Sequence, residues 1–162
     1  MAIASEASIR TRIVVVVGTV TGSGRVHPRY LRALDGQEKT FNETFKDDNE
    51  RINAQMVRRI QRIPVVDKYN RQVSVTHIYS ILINYGVSEE ADSEGTVQQF
   101  IEDLAAAFAA RPHFELEVGV KSTGLDGVTH RQIGMDRFTD SKLGEKLVHA
   151  PELRLVVDAE DC

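Results

Sequence analysis

Val73-Ser74-Val75-Thr76-His77-Ile78-Tyr79-Ser80-Ile81-Leu82-Ile83-Asn84-Tyr85 is the stretch that decides the fold. Val73, Val75, His77, Tyr79, Ile81, Ile83 and Tyr85 alternate with Ser74, Thr76, Ser80 and Asn84. Side chains of an extended strand point alternately to its two faces, so this pattern predicts one long, half-buried strand. At ~3.4 Å per residue, a strand from Gln72 to Tyr85 spans about 45 Å, more than a small core needs. Upstream, Ile52, Ala54, Met56 and Ile60 mark a second strand. Pro64-Val65-Val66-Asp67-Lys68-Tyr69-Asn70-Arg71 between the two fits a hairpin tip. The expectation is a β-hairpin over 52–85 that projects from the body of the protein.

Working outward, residues 92–110 predict a helix. Val97, Phe100, Ile101, Leu104, Ala107 and Phe108 fall on one stripe, and Gln98, Glu102 and Asp103 on the other side. Thr96 with Gln99, or Ser93 one turn earlier, is the expected N-cap, and Arg111-Pro112 the stop. Ile9, Ile13, Val16 and Val17 recur at helical spacing near the N-terminus. The β-branched run Val14 to Val17 favours a strand, but the spacing predicts a helix to about Val17, capped by Ser5 without a capping box. Arg25-Val26-His27-Pro28 reads as a short edge strand. Residues 35–50 are a charged surface segment in which Phe41 and Phe45 pin one helical turn. Strands are expected at Phe114 to Val120, Arg131 to Phe138 and Glu152 to Asp158. The fold class is α+β: a mostly antiparallel sheet with a long β-hairpin arm, packed against two helices in one domain over 1–162.

The chain has 162 residues, enough for a single core without metal or disulfide. Its net charge of −4 and pI near 5.7 argue against a general nucleic-acid binder. Cys162 is the sole cysteine, so no internal disulfide and no cysteine-ligated zinc is expected. The longest valine run, Val14 to Val17, is far short of the ~20 residues of a membrane span, and no signal peptide is read.

Gly18-Thr19-Val20-Thr21-Gly22-Ser23-Gly24 matches the G-x-x-x-G-x-G loop of short-chain dehydrogenases, in which glycines admit a pyrophosphate to a helix N-terminus. No Tyr-x-x-x-Lys pair follows, and Pro28 leaves no room for a receiving helix. The loop is therefore read as a connector, with a nucleotide-binding enzyme as the alternative. His27, His77, His113, His130 and His149 form no zinc spacing. Glu89, Glu90, Asp92 and Glu94 precede the helix and complement its dipole rather than flank a glycosidic bond. No catalytic residue, metal or cofactor is expected. Arg51, Arg58, Arg59, Arg62 and Arg71 concentrate on the first hairpin strand and its tip. A nucleic-acid stripe, a subunit contact and a solvated edge all fit such a run. The projecting arm favours a subunit contact through Arg58, Arg59, Arg62, Tyr69 and Arg71, because an isolated two-stranded ribbon is marginal in water.

In order, the chain offers an N-terminal helix, Gly24-Arg25-Val26-His27-Pro28, a charged segment and the strand pair with Thr76-His77-Ile78-Tyr79-Ser80-Ile81-Leu82-Ile83-Asn84-Tyr85-Gly86. Ser93-Glu94-Gly95-Thr96-Val97-Gln98-Gln99-Phe100 then opens a helix, and Val148-His149-Ala150-Pro151-Glu152-Leu153 leads the last strand. This order resembles the tail terminators among the neck proteins of long-tailed bacteriophages. The resemblance implies a homo-oligomeric ring, a hexamer, that caps the tail tube and joins it to the head-tail connector. It also implies contact with the tail tube protein and, in contractile tails, the sheath protein. DNA would pass through the lumen without specific binding. The implied location is the tail-head junction of a virion, after synthesis in the host cytoplasm. Another neck or tail-completion protein is the nearest alternative.

Overall fold

The structure, a computed structural model, describes residues 5–30, 43–48, 51–86, 92–110, 120–129, 132–135 and 146–160. In chain order it comprises α1 (Glu6–Thr19), β1 (Arg25–His27), β2 (Asn53–Val66), β3 (Gln72–Gly86), α2 (Ser93–Ala109), β4 (Val120–Thr129), β5 (Gln132–Met135), β6 (Lys146–His149) and β7 (Glu152–Glu160). The fold is α+β, with one sheet that is antiparallel except where β1 runs parallel to β2.

β3 is the spine of the sheet. It pairs with β2 along one edge, and along the other with β7 from Ser74 to Leu82 and β6 at Tyr85 and Gly86. β4 then pairs with β7, and β5 with β6. The sheet forks beyond β3 because Ala150 and Pro151 interrupt the line from β6 into β7. The Pro151 carbonyl at that break still accepts from the Ile83 N–H, at 3.0 Å. The predicted hairpin is present, but it is not a free two-stranded arm. β7 covers the outer edge of β3 nearly to the tip, and the exposed edge belongs to β2. The tip is also shorter than expected. β2 runs through Pro64 to Val66, and the turn occupies Asp67 to Arg71. A proline in a strand is tolerated at an edge, where the missing donor breaks no interior ladder.

Both helices lie on one face of the sheet. Ile9, Ile13, Val16 and Val17 of α1 and Val97, Phe100, Ile101, Leu104 and Phe108 of α2 pack on Tyr79, Ile81, Ile83, Leu153, Leu155 and Val157. α1 starts at Ser5, whose Oγ accepts from the Ser8 N–H at 3.1 Å. α2 is capped by Asp92 rather than Thr96 or Ser93. Asp92 adopts a left-handed φ of 48°, and its carboxylate accepts from the Gly95 N–H at 3.2 Å. Ser93 is instead buried and shares a 2.8 Å hydrogen bond with His149 Nε2.

A second apolar cluster covers the opposite face, from Phe45, Ile52, Ala54, Met56, Val148 and Ala150 with Tyr30 and Leu82. Phe45 is thus a core residue and not a surface pin, while Phe41 lies outside the described residues. The central part of β3 is buried on both faces, from His77 to Ile81. Of the late strands, Phe114 lies outside the described residues. The described strand in that region is β4, which runs from Val120 to Thr129 through Gly124 and Gly127.

Candidate subunit interface

The hairpin changes character halfway along. β2 is buried from Asn53 to Val57 and exposed at every position from Arg58 to Val66. Two features cause this. β1 pairs with β2 only at Ala54, Gln55 and Met56, so beyond Val57 that edge of β2 has no partner among the described residues. The helices and the second cluster also stop short of the tip. Large apolar side chains are left in solvent there: Ile60 (46% exposed), Ile63, Val65, Val66 (50%), Tyr69 (65%) and Val73. Exposed apolar residues gathered in one place mark interaction surfaces, whereas scattered single ones do not. A free, extended strand edge beside them presents a row of unpaired backbone groups.

The predicted interface residues do not form one stripe. The register of β2 against β3 shifts between Arg59 and Gln61, leaving Ile60 as a bulge. The bulge puts Arg59, opposite Tyr79, and Arg62, opposite His77, on the helix side of the sheet. Arg58, opposite Ser80, lies on the other side. Each of the five residues already has a partner within the chain. The Arg58 guanidinium lies 3.9 Å from the centroid of the Tyr30 ring. The Tyr30 hydroxyl meets Ser80 Oγ at 2.6 Å, and Ser80 donates to Glu152 at 2.7 Å. Burial, set against that Ser80 hydrogen bond, holds the Tyr30 phenol above its usual pKa. Arg59 donates to His77 Nδ1 at 3.5 Å, and Arg62 to Gln72 at 3.5 Å.

The tip is a tied turn. Asp67 accepts from the backbone N–H groups of Tyr69 (2.8 Å) and Arg71 (3.0 Å) and from Arg71 Nε (2.9 Å). Those donors, the Arg71 N–H first, hold the Asp67 carboxyl below its ordinary pKa. Asn70, at φ 62°, takes the left-handed position that asparagine tolerates. Tyr69 projects between two cations, with Lys68 Nζ at 5.0 Å and the Arg71 guanidinium at 5.2 Å from its ring centroid. Arg51 is remote from this group, just before β2, with its backbone on Asp47.

His77 is buried beside Arg59 and Arg62. Burial first, then those two cations, push its pKa below the ordinary histidine value, while Glu6 opposes them. Its neighbour Tyr79 is fully buried against Glu6. Burial raises the phenol pKa strongly, and among the described residues neither Tyr79 Oη nor Glu6 Oε1 has a hydrogen-bond partner.

The glycine loop serves the fold. It follows the C-terminus of α1, where the helix dipole is negative, rather than preceding a helix N-terminus. Gly22 has φ +95°, and a Cβ on Gly24 would collide with the Asn53 carbonyl. Asn53 donates to the Gly22 carbonyl at 2.9 Å, and Gln55 Oε1 accepts from the Gly24 N–H at 2.9 Å. His27 Nε2 meets the Thr44 carbonyl at 2.8 Å, and His149 meets Ser93. His113 and His130 lie outside the described residues. Among the described residues no group of three His, Cys, Asp or Glu side chains could hold a metal ion. No helix among them is long and apolar enough to cross a membrane.

Sequence reasoning missed a cleft of about 470 Å³ between the loop after α1 and the first three turns of α2. Ile83, Tyr85, Val97 and Phe100 are the apolar residues of its lining, which also includes Asp92 and Asp103. The available sequence signal was Asp92 and Asp103 flanking Phe100, but Asp92 was read with the acidic run that complements the helix dipole, Phe100 with the apolar stripe and Asp103 with the opposite face. No family profile matches this chain, and no curated protein matches it.

Proposed function

We propose that this chain is a structural subunit that assembles into a ring, as a tail terminator capping a bacteriophage tail tube and joining it to the head connector, and that it has no catalytic role. The observation that carries the reading is the outer half of the β2–β3 hairpin. Ile60, Ile63, Val65, Val66, Tyr69 and Val73 are all at least 39% exposed beside an open strand edge. A surface of that kind is stabilised when another chain covers it. The order of elements, which resembles that of tail terminators, supplies the specific context. The same surface also fits another neck or tail-completion protein.

Light scattering and electron microscopy of the purified protein, alone and mixed with tail tubes, test the proposal. The expected result is a closed ring, or a cap on tube ends. Ile63→Asp combined with Val65→Asp places two charges on residues already in solvent. It is expected to abolish assembly while leaving the circular dichroism spectrum unchanged. A wild-type protein that stays monomeric when concentrated and in the presence of tubes would overturn the reading.

A further inference from the structure

We infer that the cleft beside α2 is the socket for the hairpin tip of a second copy of this chain, so that subunits join head to tail. This deepens the ring proposal and rests on it. Tip and socket match in size and charge. The tip offers one aromatic ring, Tyr69, flanked by Lys68 and Arg71. The cleft has a volume of about 470 Å³ and is lined by Thr21, Tyr85, Thr96 and Gln99 over the largely buried Ile83, Val97 and Phe100, with Asp92 and Asp103 also in its wall. That volume lies within the ~300–1,000 Å³ of ligand-sized pockets and accommodates a tyrosine ring with a flanking stem. A ring entering the cleft would bring Lys68, and Arg71 with its Asp67 partner, towards Asp92 and Asp103.

The wider charge distribution points the same way. Residues 51–86 carry six Lys and Arg against one Asp, and the remaining 126 residues carry 14 basic and 23 acidic side chains. The hairpin of one copy is therefore attracted to the body of another and repelled by its hairpin.

Geometry makes the contact intermolecular. Tip and cleft sit at opposite ends of β3, the tip before Gln72 and the cleft at Ile83 and Tyr85. Eleven residues of extended strand separate Gln72 from Ile83, about 36 Å. A copy cannot fill its own cleft. A tip-to-cleft contact uses different patches on the two partners, and repetition of such a contact closes a ring when its rotation allows.

Two variants that each break one half of the junction test this. Tyr69→Ser removes the tip ring, and Thr96→Trp fills the cleft from an exposed position on α2. Native mass spectrometry of each alone is expected to show loss of the oligomer, with the apparent dissociation constant weakened about tenfold or more. Mixed one to one, they retain one intact tip and one intact cleft, so a heterodimer that grows no further is expected. As a second measurement, the chain has no tryptophan, so Tyr69→Trp supplies a single fluorophore whose emission should shift to the blue as the protein is concentrated. If wild type assembles but both variants assemble equally well, or the indole introduced by Tyr69→Trp keeps a solvent-like emission in the oligomer, the tip-and-socket contact is wrong while the ring reading stands. A monomeric wild type overturns both.

Discussion

His77 illustrates how a single side chain couples the arm to the body of the protein. It stands where the exposed half of the hairpin meets the core, 6% exposed, accepting from Arg59 and facing Arg62 across the strand pair. The neutral ring accepts a hydrogen bond from Arg59. A protonated ring would face two cations, with only Glu6 in its favour. Its folded pKa lies below its unfolded value of about 6.5, so its contribution to stability is complete above that pH and is lost as pH falls below it. Urea titrations at pH 7 and pH 5 should show wild type losing stability over that interval, and His77→Gln losing less of it. Equal losses would mean that the ring is not the group titrating. Arg58 teaches a related point. Its sequence neighbours suggest an interface cation, but its guanidinium is stacked on Tyr30. Charge reversal there would disturb the second apolar cluster before it reported on assembly.

At the level of elements, α2 and the β2–β3 pair were legible because each carries a long, unbroken period. Val97, Phe100, Ile101, Leu104 and Phe108 are all buried as the stripe requires. Leu104 is fully buried against the sheet, so Leu104→Ala should cost roughly 2–5 kcal/mol by chemical denaturation, from lost transfer energy and the cavity left behind. A cost below about 1 kcal/mol would mean that α2 is not anchored there. Other elements were illegible for physical reasons. β4 contains Gly124, Asp126 and Gly127, residue types depleted in strands, and its extended form is held by pairing with β7. The bulge at Ile60, which brings Arg59 and Arg62 to the same face, leaves no mark in a sequence where apolar and basic residues are interspersed. The cap at Asp92 was missed because Ser93 and Thr96 match cap preferences equally well, and tertiary contact with His149 decided between them.

Across the whole molecule, the α+β class follows from local patterns, but the way the sheet closes does not. β3 and β7 pair although Ser74 and Glu160 are far apart in the chain, and nothing in either strand names the other. That pairing turns the predicted free ribbon into part of a larger sheet that stays open along the outer half of β2, and places the exposed apolar residues and the cleft at opposite ends of its spine. Pro64 sits in that open edge of β2, two residues before the strand ends. An uninterrupted valine- and isoleucine-rich strand at a sheet margin would template identical strands one after another, the route to cross-β fibres. A residue with no amide hydrogen breaks the template without altering the side chains around it. Pro64→Thr should therefore leave the native fold in place yet make concentrated protein form fibres that bind thioflavin T, at a rate well above wild type. Wild-type behaviour from that variant would mean that something other than the imino acid keeps this strand edge from stacking without limit.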